Sequence, residues 1–352
     1  MKKLLFFVMA VMALTSCYDD KNEPLPLDEK TTTTLYMAVN GYAGIPEAIY
    51  NLDGEKIFEC QEGGHIQSLV SYHSDWYALI CWGNGVYQVV KNGNVIHEGD
   101  GKIHCFTVYC GDVYTVLENN NKTIWACKNF QRMFDVTDDM MYYTFTVCQG
   151  FVCLPFCGDI GGMGVKSGFT MNDSHFSFED GDMQFNWVYG IDIGDQFSEM
   201  LITYEDGLTR KYMYWWNGTK HECPDGFVPI SSRLVNGHAF ILGYKIASPG
   251  SSMVLPTVLI DGVETVLNND GAGWRAVSMA AHDADTYILV NLETGTYSYV
   301  YKNLQPIRLP DVTTPYQLVP YGSDQHDGKT NLSILGIKAI AVVEVIEKTS
   351  TL

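Results

Sequence analysis

The feature that most constrains this chain is a turn that keeps returning. An apolar or aromatic run ends in Asn or Asp, and a second short run follows. The copies are AIYNLDGEKIFE, YQVVKNGNVIHE, TIWACKNFQRMFDV, SGFTMNDSHFSFE, YMYWWNGTKHE, TVLIDGVETVL and YSYVYKNLQPIRL. Their turn residues are Asp53, Asn92, Asn129, Asn172, Asn217, Asp261 and Asn303, spaced 39, 37, 43, 45, 44 and 42 apart. Four copies carry Asp-Gly or Asn-Gly, the strongest short-range hairpin signal, because both central residues of that turn need positive φ. A fixed period of this length marks an array of one supersecondary unit.

Two more strand-like runs precede most of these hairpins: IQSLVS and DWYALICW before Asn92, IHCFTVY and DVYTVLE before Asn129, MYYTFTV and GFVCLPF before Asn172, FVPISSRLV and HAFILGY before Asp261, WRAVSMAA and DTYILVNL before Asn303. Each unit therefore reads as a four-stranded antiparallel meander of about 42 residues, the size of a β-propeller blade. No long window has helical period. The expected fold is all-β, a propeller of seven blades, with six or eight left open because the tail could make a blade of its own. The first unit is short of strands, with only YMAVNGY before its hairpin, and the tail has strands to spare in YQLVPYG and SILGIKAIAVVEVI. The tail is expected to complete the first blade and close the ring, which removes exposed sheet edges. The rival, a pair of β-sandwiches, would need no such regular period.

The N-terminus reads as an address. Met1-Lys2-Lys3 is followed by eleven apolar residues, Leu4 to Leu14, then Thr15-Ser16-Cys17. The run is too short for a membrane-spanning helix and has the order of a secretory signal. Leu14-Thr15-Ser16-Cys17 resembles the lipobox of bacterial lipoproteins. That resemblance implies cleavage after residue 16 and a lipidated Cys17. Tyr18-Asp19-Asp20-Lys21 is similar to the surface-export signal of Bacteroidota lipoproteins. Residues 17–34, rich in Pro, Thr and charge, are expected to be a flexible tether reaching up to roughly 50 Å, and residues 35–352 the propeller. The implied location is the outer membrane, lipid-anchored and facing the cell exterior. The body of the chain resembles the degenerate "strand, Lys/Trp-Asn-Gly, strand" propellers of bacterial lipoproteins. WD and kelch signatures are absent, and Glu118–Trp125 keeps only the Trp of a sialidase-type Asp box.

Charge narrows the partners. The chain has 22 Lys+Arg against 41 Asp+Glu, a formal net charge of −19, so nothing draws it to nucleic acid, and membrane contact is expected through the lipid alone. Beyond Cys17 nine cysteines remain. An odd number leaves at least one thiol unpaired, and their apolar surroundings read as buried small hydrophobes.

Catalytic patterns are poor. The His residues lack metal-ligand spacing, there is no G-x-S-x-G elbow, and GGMGVKS lacks the Gly before Lys166 of a phosphate loop. No cofactor is expected, although Glu179-Asp180-Gly181-Asp182 offers hard oxygens of the kind Ca²⁺ uses. In a meander the loops between units share a face with each unit's middle loop. Acids gather in those loops: Glu62, Asp100, Asp138, Asp139, Glu179, Asp180, Asp182, Asp225, Asp270 and Asp311. Trp82, Trp187 and Trp274 lie near loops with Asp or Asn, the pairing that covers a sugar's apolar face and takes its hydroxyls. The candidate ligand-binding set is Trp82, Asp100, Asp182, Trp187, Asp270 and Trp274. The expected role is a non-catalytic surface module that captures glycan or peptide or docks on an outer-membrane uptake complex. The alternative is a propeller glycoside hydrolase or polysaccharide lyase using paired loop carboxylates.

Overall fold

The computed structural model describes residues 29–41, 46–137, 140–159, 165–172, 174–178, 184–194, 199–248, 251, 253–267, 273–292, 297–313, 329–332 and 336–348. The chain opens with β1 (Glu29–Val39), β2 (Ala48–Tyr50) and β3 (Lys56–Glu59). Six four-strand units follow. The second blade is β4 (Gly64–Tyr72), β5 (Asp75–Trp82), β6 (Val86–Lys91) and β7 (Asn94–Asp100). The third is β8 (Lys102–Tyr109), β9 (Asp112–Glu118), β10 (Ile124–Lys128) and β11 (Gln131–Asp135). The fourth is β12 (Thr146–Cys148), β13 (Phe151–Asp159), β14 (Val165–Met171) and β15 (Ser174–Ser177). The fifth is β16 (Phe185–Ile193), β17 (Met200–Asp206), β18 (Tyr212–Trp216) and β19 (Thr219–Glu222). The sixth is β20 (Phe227–Val235), β21 (His238–Ile246), β22 (Val254–Ile260) and β23 (Val263–Val266). The seventh is β24 (Trp274–His282), β25 (Asp285–Leu292), β26 (Ser298–Lys302) and β27 (Gln305–Ile307). A small pair, β28 (Asp311–Thr313) and β29 (Lys329–Asn331), precedes the last strand, β30 (Ile337–Lys348).

Each of these six units is one antiparallel sheet with its strands in chain order, and the first sheet runs β3-β2-β1-β30. Strand β30 pairs with β1 from Glu29↔Lys348 to Val39↔Ile337. Both ends of the chain thus share one blade. The strand begins at Glu29, inside the 17–34 stretch expected to be leash. Thr31 to Thr34 are β-branched and suit a pleated ladder, which residues 343–346 supply.

Packing follows the blades. The second strand of each blade is sandwiched between its neighbours, so it is buried nearly without alternation. Trp76 to Ile80 of β5 and Thr286 to Val290 of β25 are examples. Outer strands such as β7 and β19 are mostly exposed. Apolar clusters fill the gaps between consecutive blades. Tyr77, Leu79 and Val89 of the second blade meet Ile103, Phe106 and Val113 of the third. The last cluster joins Tyr287, Leu289 and Val300 of the seventh blade to Leu35, Met37 and Ile340 of the first. The protein is a seven-bladed β-propeller. Cys60, Cys81, Cys105, Cys110, Cys127, Cys148, Cys153, Cys157 and Cys223 are free thiols, and only Cys110 is fully exposed.

The recurring turn has a physical basis. Asn92, Asn129, Asn172, Asn217, Asp261 and Asn303 all have φ between 46° and 52°, a region that Asn and Asp tolerate better than most residues. Five of these side chains also reach across the blade. Their Oδ1 atoms accept the backbone N–H of Trp76, Val113, Val152, Ala239 and Thr286 at 2.8–3.2 Å. In the second, third and seventh blades Nδ2 donates to Asp75, Asp112 or Asp285. The preceding Lys91, Lys128 or Lys302 pairs with the same Asp at 2.7 Å and lies over Tyr77, Tyr114 or Tyr287. An Asp-x-Tyr at the start of the second strand is thereby clasped by a Lys-Asn at the end of the third. Asp53 departs from the rule: there Gly54 takes the positive φ, and Asn51 Oδ1 accepts the N–H of Asp53 and Glu55.

The meander gives the disc two unlike faces. First-to-second and third-to-fourth strand turns share one face, most of them two residues long, such as Cys110-Gly111 and Asn236-Gly237. The connections between blades and the middle connections share the other. Among the described residues they include Tyr142 to Phe145 and the turn 83–85.

Candidate functional site at the channel mouth

The first strand of each blade lines the central channel. Its pairing slips by one residue at Gln67, His104, Tyr189, Ile230 and Val277. Such bulges often sit beside functional sites, where they re-aim side chains. In the fourth blade the slip is larger. Met140 bridges to Phe156 and Met141 N–H donates to Pro155 O, yet regular pairing resumes only at Thr146↔Cys153. Tyr142 to Phe145 leave the ladder in between. The run MYYTFTV, expected to be one continuous strand, is therefore broken, and only Thr146–Cys148 stays a strand.

This excursion builds an aromatic platform. The rings of Tyr142 and Tyr143 lie 4.4 Å apart, and Tyr143 stacks on Trp187 at 5.5 Å and 23°. Tyr143 is 52% exposed and Trp187 45%, so both residues of the stacked pair meet solvent. The platform is braced from below. The buried His104 ring meets Tyr142 edge-on at 4.8 Å and Tyr143 at 5.6 Å. His104 Nε2 sits 2.8 Å from Glu118 Oε2, and Lys122 Nζ donates to Glu118 Oε1 at 2.8 Å. The Lys122 ammonium, and then His104, hold the Glu118 carboxyl below the usual carboxylate range. Glu205, directly across the ladder from Trp187, pairs with Arg210 at 3.3 Å. Flat exposed rings flanked by fixed, paired charges can cover an apolar face of a ligand and order the polar groups at its edge.

The residues expected from sequence fall in different places. Trp187 is in the platform. Trp82 ends β5 and packs against Gly63 and Gly64, so close that a Cβ on Gly64 would stand 3.0 Å from its ring. Trp274 is 6% exposed, lies in the cluster between the sixth and seventh blades, and meets Tyr299 at 4.7 Å. Both rings are packing groups, because the starts and ends of these strands face a neighbouring blade or turn rather than the channel. Asp100 is exposed at the end of the outermost strand of its blade, far out along the sheet from the inner strands. Cys17, Asp182 and Asp270 lie outside the described residues, as do Asp138, Asp139, Glu179 and Asp180. Glu62, Asp225 and Asp311 are separate exposed loop or strand-end acids. Among the described residues no group of three His, Cys, Asp or Glu could hold a metal ion. Sequence reading missed Tyr142, Tyr143 and His104. The only local hint was the tandem Tyr-Tyr, which spoils strict alternation in its run.

No protein-family model matches the chain, and no curated protein matches it. Solved structures do. The β-propeller domain of the Trilobed protease from Pyrococcus furiosus is similar over 82% of this chain and 95% of its own, at 9% identity and a TM-score of 0.54. Kluyveromyces lactis Hsv2 is similar over 76% of this chain and 93% of its own, at 8% identity and a TM-score of 0.44. The N-terminal domain of Nup159 is similar over 86% and 89%, at 10% identity and a TM-score of 0.41. The first of these supports the propeller fold; at such identity fold carries no activity with it.

Proposed function

We propose that this protein is a surface lipoprotein whose propeller binds glycan without cleaving it, at the Tyr143–Trp187 platform. The observation that carries the reading is the pair of stacked, solvent-facing rings on the long-loop face. Sugar rings offer C–H faces that such aromatics cover, with hydroxyls left for polar neighbours. Glu118, beside the platform, is unsuited to the general-acid role of a glycosidase. Glu118 is held ionised by Lys122 and His104, whereas a glycosidase acid must carry a proton at working pH.

The course of β1 fits an anchored molecule. This strand enters from the tight-turn face and runs toward the long-loop face. A leash from a lipidated Cys17 would therefore hold the tight turns toward the membrane and present the platform outward. The test is a glycan array and titration of the full chain against Trp187→Ala and Tyr143→Ala. Loss of at least tenfold in affinity in both, with Trp274→Phe unchanged, is expected. Retention of wild-type affinity in both platform variants would refute the assignment. Metabolic labelling with a fatty acid, lost in Cys17→Ser, tests the anchor.

A further inference from the structure

The connection between β17 and β18, residues 207–211, lies on the long-loop face beside the platform. One buried carboxylate organises it. Asp206 is 1% exposed. Its Oδ1 accepts the Leu208 N–H at 3.0 Å, the Thr209 N–H at 2.8 Å and the Thr209 hydroxyl at 3.1 Å, and its Oδ2 accepts from Lys220 Nζ at 3.1 Å. Burial alone would raise this carboxyl, but the bonds from Thr209 and Lys220 outweigh it and leave it below its ordinary value. The Gly207 N–H donates to Gln184 O at 2.7 Å, and the Arg210 N–H to Asp206 O at 2.9 Å. These bonds fix the loop and hold Arg210 in a left-handed backbone, φ 58°.

The loop brings Arg210 back onto the ladder. Its Nη1 donates to Glu205 Oε1 at 3.3 Å, and Glu205 is the direct partner of Trp187 between β16 and β17. Directly paired side chains stand on one face with their Cβ atoms about 5 Å apart, so the Arg210–Glu205 pair borders the Trp187 ring. The Arg210 side chain is 63% exposed and that of Glu205 21%. Among the described residues Glu205 Oε2 accepts no hydrogen bond, and the remaining guanidinium N–H groups of Arg210 donate none. Free donors and a free acceptor thus lie side by side at the platform edge while their charges cancel. On the Tyr143 side Lys122 likewise cancels Glu118. An anion would gain the guanidinium and meet the carboxylate; a cation would gain the carboxylate and meet the guanidinium. Adjacent hydroxyls of a neutral sugar, each at once donor and acceptor, answer both groups. The net charge of −19 works further against a polyanion.

We propose that the platform takes a neutral glycan, neither uronate nor sulfated, and that Arg210 and Glu205 read two adjacent hydroxyls of the sugar lying against Trp187. This rests on the Tyr143–Trp187 platform being the glycan site. The experiment is calorimetric titration of the full chain, at low and high salt, with neutral hexasaccharides of glucose, mannose, xylose and galactose and with the hexasaccharides of galacturonate and chondroitin sulfate. Saturable binding of at least one neutral hexasaccharide is expected, little changed by salt, with both acidic ones at least tenfold weaker. Losing a charge-assisted bond costs about tenfold in affinity. Arg210→Met and Glu205→Gln should each weaken the neutral ligand by about that much, and Arg210→Lys, which keeps the charge and loses the fork, by less. Melting curves check that each variant is folded. Full affinity in a folded Arg210→Met, or an acidic hexasaccharide bound as tightly as any neutral one, overturns the proposal; loss of binding in Trp187→Ala would then leave the platform standing without it. No hexasaccharide bound, or full affinity in Trp187→Ala, removes both.

Discussion

Replacing Asn129 isolates what the blade clasp contributes. The residue sits at φ 46°. Its Oδ1 accepts the Val113 N–H at 2.9 Å, and its Nδ2 donates to Asp112 at 2.7 Å. Gly at this position keeps the backbone unstrained and removes both side-chain bonds. The Val113 N–H, at the base of a buried strand, then loses its partner, which costs about 1–2 kcal/mol. Ala removes the same bonds and, unlike Gly, keeps a Cβ in the left-handed region without the side-chain hydrogen bonding that lets Asn tolerate it, about 1–2 kcal/mol more. With about 2.1 cal/mol/K of unfolding entropy per residue over some 320 residues, 1 kcal/mol shifts Tm by about 1.5 °C. Thermal melts at neutral pH should therefore fall by about 2–3 °C for Asn129→Gly and about 3–6 °C for Asn129→Ala. If Ala is no worse than Gly, the backbone argument fails. If neither moves Tm, the clasp adds nothing and the inter-blade clusters alone hold the turn.

The clasp also predicts acid sensitivity. Burial alone would raise the carboxyls of Asp75 and Asp112, but the bonds from Lys91 and Asn92, or Lys128 and Asn129, outweigh it. At Asp285 the Lys302 bond leads, and all three carboxyls end below their ordinary value. A depressed folded-state pKa stabilises the fold above the unfolded value, near 3.9, and is lost as pH falls through the folded one. Tm should drop steeply below about pH 4, and the triple Asp→Asn variant should start lower and lose less there; parallel curves for the two proteins would contradict this. Thiol labelling gives an independent check. Cys110 is exposed, while burial pushes the Cys60, Cys105 and Cys223 thiols up to about 12 and Cys81 up to about 11. Among these five, a maleimide should react first at Cys110, and Cys110→Ser should remove that fast phase; an unchanged fast phase would show that another blade opens.

The blade count was legible because its signal is local. A two-residue turn with positive φ admits few residue types, so Asn92, Asn217 and Asp261, each followed by Gly, announce it without help from the rest of the chain. Blade order followed too, since meandering strands pair with their sequence neighbours. The reach of the first blade to Glu29 was less visible: a Thr run reads equally as tether or strand until β30 lies beside it.

What lay beyond the sequence was direction. Trp187 and Trp274 look alike in one dimension, each near the start of a first strand. One stacks on Tyr143 in solvent and the other fills a gap between blades. That choice depends on register, on bulges and on which blade stands next door, all of which are set only when the ring assembles. Local backbone chemistry determined how many blades there are; only the closure of one blade against the next decided which side chains a ligand can reach.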